Sequence, residues 1–443
     1  MNLKISFISI VLVSTILVLV CKPKKEAAQS PSSTTNTTEN KVITQTTDVS
    51  VSDNNTTNMA QSTHMKNMQS GMIHFAFELF KKQSIENHSE SFCVSPVSLS
   101  LALGMTYAGA QGVTAKEMSN VLGFPSDRSQ FLFQMNEYYS ALKTFEGEKN
   151  PEFSIANRIY LEQTYILLDD FKKAMTENFG SDFVLVDFLT KFKEVEKEIN
   201  VWVEQKTRTR IKDLLPKNIL DASTVMVLVN AIYFKDDWKF AFDEEETSEM
   251  PFYAGERGKL DLMFMKQRLQ NIRYCRHSQW QVLELPYNGK NFSMLVILPD
   301  QSSSTDIHTR IPDANDYNTI VSSLSNQNVY IELPRFKTES SFMLEGMMSD
   351  MGMPSAFSNG ADFSGMSGRS DVKISKIVQK VFFEINEKGA EAAAATAVIM
   401  TRTTSVEYKP EQLVRFIANR PFIYVLKENT FNTPLFIGQF TGR

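Results

Sequence analysis

The residues best equipped for chemistry are few and scattered. Five histidines stand at 64, 74, 88, 277 and 308, and none belongs to a His-Glu-x-x-His pair that would set two zinc ligands on one helix face. Three cysteines, at 21, 93 and 275, are too few and too far apart for a disulfide framework or a zinc knuckle. Cys93 lies between Phe92 and Val94, and Cys275 follows Tyr274, so both read as small buried hydrophobes. No Gly-x-Ser-x-Gly elbow presents a nucleophilic serine; Gly365-Met366-Ser367-Gly368 lacks that spacing and reads as a turn. Nor is any glycine-rich loop placed to cradle phosphate. The pattern argues against an enzyme and calls for no cofactor and no metal. Net charge is −5 with both signs interspersed, and no basic stripe accompanies aromatic residues, so nucleic acid is not an expected partner.

One segment could take part in chemistry by being acted upon. Glu387-Lys388-Gly389-Ala390-Glu391-Ala392-Ala393-Ala394-Ala395-Thr396-Ala397 is a run of small residues. Alanine is the best helix former, so a surface helix is one reading. Against it, Val381 to Ile385 before the run is strand-like, and Val398 to Val406 after it is rich in β-branched residues. The other reading is a long exposed loop between two strands, thin enough to enter a sheet. Residue types alone leave both open.

The elements that must hold such a segment fill most of the chain. No internal linker interrupts residues 66–443 of the 443, so one large domain is expected there. Met72, Ala76, Leu79 and Phe80 recur at helical spacing within Gly71 to Lys82. Ser95 suits an N-cap and Pro96 the first position of a helix over Val97 to Ala108, apolar on nearly every face and ended by Gly109 and Gly112. Asp169 to Gly180 reads as another helix. Strands are expected at Val225 to Phe234, Phe292 to Leu298, Val329 to Leu333, Val381 to Ile385, Pro421 to Leu426 and Pro434 to Phe440. Helices early and strands late suit an α+β domain with large antiparallel sheets.

Ahead of the domain, Lys4 precedes an apolar stretch from Ile5 to Val20, which ends at Cys21. This reads as a secretory signal over residues 1–21, its apolar run of 16 residues being short for a membrane span, which needs about 20. The cysteine after the apolar core resembles a bacterial lipoprotein signal, in which it is lipidated; Val20 departs from the small residue usual there. Residues 22–65 are mostly Ser, Thr, Asn, Gln and Lys without an aromatic, and read as a disordered tether. The expected product is exported, secreted or held at the cell envelope, and touches a membrane through an N-terminal lipid only.

The alanine-rich run resembles the hinge of the inhibitory serpins, whose reactive loop begins Glu-x-Gly-Thr-Glu-Ala-Ala-Ala-Ala-Thr. Further resemblances follow in family order over residues 70–443. They are Phe92 to Leu103, Ile211-Lys212-Asp213-Leu214-Leu215-Pro216, Leu228 to Trp238, Ala361-Asp362-Phe363-Ser364, Asn419-Arg420-Pro421-Phe422 and Leu435-Phe436-Ile437-Gly438. The likeness implies the serpin fold: a large antiparallel central sheet, further sheets, helices packed around them, and an exposed reactive loop at about 387–415. It implies a monomeric protease inhibitor that traps a serine, or else cysteine, endopeptidase as an acyl-enzyme while the hinge enters the central sheet. The hinge residues carried over are Glu387, Gly389, Ala390, Glu391, Ala392, Ala393, Ala394, Ala395 and Thr396. Ala390 stands where Thr or Ser is common.

The same resemblance marks Ser95, Ser98, Asn230 and Gln379 as the shutter at the middle of the central sheet. Gln379 replaces the usual histidine, and an amide can both donate and accept. Counting from Glu387 at the commonest spacing makes Thr403 the acylated residue, giving the bond Thr403–Thr404. A loop one residue shorter makes it Arg402, whose charge suits a trypsin-like pocket, so Arg402–Thr403 is the preferred bond and a trypsin-like serine protease the expected partner. Asp127 to Asn150 has no cluster of Lys and Arg, which leaves heparin-like activation unsupported. The alternative within the family is a non-inhibitory carrier, chaperone or adhesion protein, whose hinge would usually hold bulky, charged or proline residues.

Overall fold

The buried strand Met226–Asp237 and the strand Lys376–Ile385 form the middle of a six-stranded sheet. In the computed structural model the described residues are 53–145, 152–180, 183–300, 307–309, 311–390 and 413–443, and these form one compact unit from Asn54 onward. Cys21, the signal segment and most of the tether lie outside them, as do Glu391 to Thr396 and the bond at Arg402–Thr403.

Across the sheet the order is Phe336–Met343, Lys376–Ile385, Gly389–Ala390, Met226–Asp237, Glu152–Glu162 and Phe183–Val186. It is mixed rather than wholly antiparallel. Lys376–Ile385 runs parallel to Met226–Asp237, and Glu152–Glu162 runs parallel to Phe183–Val186. Parallel neighbours need long crossovers, which helices and other sheet segments supply here. The second sheet has nine described strands, among them Phe292–Pro299, Phe422–Glu428 and Pro434–Phe440, close to the bounds the hydrophobic pattern predicts.

Aromatic side chains weld the two sheets face to face. Phe383 stacks on Tyr424 at 5.0 Å, and Phe336 stacks on Phe440 at 4.6 Å. The opposite face of the six-stranded sheet is covered by the helix Phe188–Lys206, with Val195, Ile199 and Val203 over Tyr160, Val229, Val378 and Phe382. Both middle strands are therefore buried on both faces, which explains their near-continuous apolar runs.

Helix ends follow local chemistry. The Ser95 side chain accepts from the Ser98 N–H at the start of Pro96–Tyr107, a helix buried at every position. Asp169–Phe179 ends at Gly180 in the left-handed region, where glycine carries no Cβ penalty. Gly365 to Ser367, expected as a turn, forms part of the short helix Ser364–Ser367. The first helix spans Asp53–Glu86, longer than the predicted Gly71 to Lys82 and reaching back into the stretch assigned to the tether. Polar residues cost only a few tenths of a kcal/mol each in a helix. Propagation is cheap once the buried turn at Met72, Ile73, Phe75 and Ala76 has formed.

Candidate functional site

At one end of the six-stranded sheet the two middle strands part. Their parallel ladder runs from Lys376 opposite Val227 to Val381 opposite Ile232, and stops. Beyond that point Gly389–Ala390 occupies the gap. Ala390 pairs with Ile385 on one side and Asp236 on the other, and Gly389 pairs with Asp237, antiparallel in each case. Ala390 is buried among the residues of the main core. The loop expected to start at Glu387 has thus placed its first two small residues in the sheet.

A tight turn makes this entry. Asn386 N–H donates to the Gly389 carbonyl at 2.9 Å, and Gly389 N–H donates back to Asn386 O at 3.2 Å. Trp238 holds the turn from the side: its backbone N–H donates to Lys388 O at 2.7 Å and its indole Nε1–H to Asn386 O at 2.9 Å. The indole stacks on Tyr287, 4.4 Å between ring centroids. Glu387 is buried, accepts from the Thr247 hydroxyl at 2.9 Å and lies 3.7 Å from the Arg335 guanidinium. Gly389 has φ +153°, and a Cβ there would lie 2.1 Å from the Asp236 carbonyl oxygen. Only glycine allows the hinge to lie this close to the neighbouring strand.

Under the closed part of the ladder sits a buried polar cluster. Gln379 and Asn230 are register partners, and Gln379 Nε2–H donates to Asn230 Oδ1 at 2.6 Å. The same amide clamps Ser95 at two points: Nε2–H donates to Ser95 O at 2.9 Å, and Oε1 accepts from Ser95 N–H at 3.0 Å. Asn230 Nδ2–H donates to Ser98 Oγ and, at 2.6 Å, to Asn157 Oδ1. Ser95 Oγ–H donates to Leu435 O at 2.7 Å, which ties the sheet to the strand Pro434–Phe440. The four residues expected as the shutter come together. Asn157 of the strand Glu152–Glu162 completes them, and nothing in the sequence pattern singled it out. Satisfied buried networks of this kind specify one arrangement, because any displaced member leaves a desolvated partner.

Asp236 breaks that pattern. It is fully buried and directly opposite Ala390. Its Oδ1 accepts from the Asp237 N–H at 2.9 Å, and no described residue partners Oδ2. The hydroxyl of Tyr287, buried nearby, also has no described partner. Burial pushes the Asp236 carboxyl up to about 6. Among the described residues no three His, Cys, Asp or Glu side chains gather as a metal site needs. Cys93 and Cys275 are buried free thiols, and burial raises both, Cys275 to about 11.

The sequence profile described as Serpin (serine protease inhibitor) matches residues 70–442. The leukocyte elastase inhibitor of Xenopus laevis is 34% identical over 391 residues, covering 85% of this chain and all of that protein. Serpin48 of the insect Tenebrio molitor, described as a highly specific serpin, aligns at TM-score 0.73 with 29% identity over 85% of this chain and 98% of its own. Human thyroxine-binding globulin, solved with its ligand, aligns at TM-score 0.76 with 25% identity over 86% and 99%. A family match across the whole folded unit, full-length relatives above 30% identity and the sheet just described agree: the chain belongs to the serpin family of protease inhibitors.

Proposed function

We propose that this serpin traps a trypsin-like serine endopeptidase as a covalent acyl-enzyme, with Arg402 as the acylated residue. The observation that carries the reading is Gly389–Ala390 seated where the middle strands part, followed by seven residues of which only Glu391 is large or charged. In the reaction, the protease hydroxyl oxygen attacks the Arg402 carbonyl carbon. The bond to the Thr403 nitrogen breaks, and the new amine takes a proton and leaves with the C-terminal fragment. The hinge, still ester-linked to the protease, then continues into the sheet. Hydrolysis must be slower than that insertion.

Carrying the observed register onward sets the expected geometry. Ala392, Ala394 and Thr396 would share the core-facing side with Ala390. They would lie opposite Phe383, Val381 and Gln379 on one strand and Phe234, Ile232 and Asn230 on the other. Glu391, Ala393 and Ala395 would face the other side, with Glu391 opposite Lys235. Small side chains on the core side pass without repacking, and the single carboxylate emerges beside a lysine.

Incubation with trypsin should give a complex that survives denaturing electrophoresis, and Arg402→Ala should slow its formation by a hundredfold or more. Removing the primary side chain costs the transition state several kcal/mol, and about 1.4 kcal/mol is tenfold. Equal rates for the variant would place the bond elsewhere and bring back Thr403–Thr404 or a bond after Met400. Mass analysis of the released C-terminal fragment reads the bond directly.

We also propose export by the 1–21 segment and lipid attachment at Cys21, of bacterial lipoprotein type. The full-length protein should partition into the detergent phase, and Cys21→Ala should release it or block its maturation. An intact mass showing cleavage elsewhere without lipid would end this proposal.

A further inference from the structure

We propose that Asp236 is a pH-sensitive latch on the hinge: protonating its carboxyl holds Gly389–Ala390 in the sheet, and ionising it drives the hinge out. The proposal rests on the reading above that this segment moves, and adds a regulator to it.

The geometry makes the coupling direct. Residues opposite one another in an antiparallel pair have Cβ atoms about 5 Å apart on the same face, so the Ala390 methyl lies beside the Asp236 side chain. With the hinge seated, the carboxyl is fully buried and Oδ2 lacks a described partner. A protonated carboxyl tolerates this site; a carboxylate with one unsatisfied oxygen does not. Withdrawing Gly389 and Ala390 strips the wall from that part of the strand, lets water reach Oδ2 and restores an ordinary carboxylate.

The surrounding groups do not supply the missing charge compensation. Asp237, next in the strand, adds a like charge, while the backbone N–H groups of Asp237 and Gly289 favour the carboxylate less strongly than burial opposes it. Tyr287 offers a neutral hydroxyl. Lys235 points to the other face and is paired with Glu152 at 3.4 Å. From the hinge, Lys388 is paired with Glu244 at 3.3 Å, and Glu387 with Arg335. Lys290, beside Gly289, is exposed. The shutter contributes no titratable group, since its members are Ser95, Ser98, Asn157, Asn230 and Gln379.

The sign follows from linkage. Asp236 has its higher pKa, about 6, with the hinge seated, and an exposed aspartate titrates near 4. Protonation therefore favours the seated state. That preference is complete below about pH 4 and is lost as pH rises through about 6, and the seated-to-withdrawn ratio should fall at least about tenfold between pH 4.5 and 7.5.

Trp238, bonded to both Lys388 and Asn386, is the built-in reporter. On the full chain, tryptophan emission should shift to the red as pH rises from about 4.5 to 7.5. Hydrogen exchange of the 386–390 amides, compared with Asp236→Asn at each pH, should accelerate at least about tenfold over the same range. Asp236→Asn should show neither change, and Trp238→Phe should lose the emission change while keeping the exchange one. Asp236→Ala, which removes the carboxyl without adding an amide, must be equally insensitive. Emission and exchange that are flat in the wild type, or that titrate alike in the Asp236 variants, overturn the proposal. Trypsin complexes assayed in parallel keep the two readings apart. Missing complexes with an intact titration sink the inhibitory reading alone, and intact complexes with a flat titration sink the latch alone.

Discussion

A single cut after Arg402 should raise the melting temperature of this protein past the roughly 90 °C that marks hyperstability, while the intact chain unfolds at an ordinary temperature. The expectation follows from what the cut releases. In the intact chain, 391–412 is fixed at both ends, because Ala390 is in the six-stranded sheet and Leu413–Ile417 is paired with Ser325–Pro334 in the other. After the cut only one end is held. Ala390 to Ala397 can then run between the middle strands, adding ladder bonds on both edges and burying methyl groups against Phe383 and Val381. The cost is the six parallel residue pairs from Lys376–Val227 to Val381–Ile232, and a new strand replaces their bonds twice over. On this expectation the intact form would be held above a more stable one by a barrier. Thermal melts of intact and singly cut protein decide it. Equal melting temperatures would remove the insertion mechanism and favour a carrier.

Ala394→Arg should turn the inhibitor into a substrate. At the continued register, residue 394 faces the core between Val381 and Ile232, both buried. A guanidinium there would lose its hydration with no carboxylate to meet it, a cost of several kcal/mol at the moment of insertion. Acylation at the proposed Arg402, eight residues further along the chain, should proceed at its usual rate. Insertion slowed by even 3 kcal/mol is slowed more than a hundredfold, so hydrolysis wins. The gel should show cleaved chain in place of complex, with the protease still active. Ala393→Arg, on the opposite face, should keep most of the complex. If Ala394→Arg traps protease as well as the wild type does, the register is wrong.

Much of this was legible in the sequence, for identifiable reasons. Ser95 and Pro96 announced a helix start because capping is local chemistry, and the strand at Pro434 to Phe440 stood out because it is apolar but for Gln439. The alanine run was ambiguous on residue types: alanine suits a helix, and a segment whose role is to change partners has no single local preference. Resemblance supplied the hinge, and the turn at Asn386–Gly389 shows how it begins. The expected loop reaches Arg415, but Leu413–Ile417 is a strand, since pairing with Ser325–Pro334 is long-range and leaves little local trace. Glu152–Glu162 escaped notice because Glu152, Ser154, Asn157 and Arg158 interrupt its alternation. Asp236 drew no attention as one of two acidic residues before Trp238; burial and the empty side of its carboxyl are properties of the fold alone.

The turn at Asn386–Gly389 also decides a race during folding. It joins Lys376–Ile385 to the hinge as neighbours in a hairpin, with only three residues, Asn386 to Lys388, between them. The native seam instead joins Lys376–Ile385 to Met226–Asp237, about 150 residues away along the chain. Hairpins form in microseconds, whereas closing so long a loop costs more entropy and more time. A chain that zipped its hairpin first would reach the low-energy form uncut and spent. The clasp of Gln379 on Ser95 and Asn230 would then serve the newborn molecule as well as the finished one, because it would reward the distant partner for arriving before the near one has taken its place.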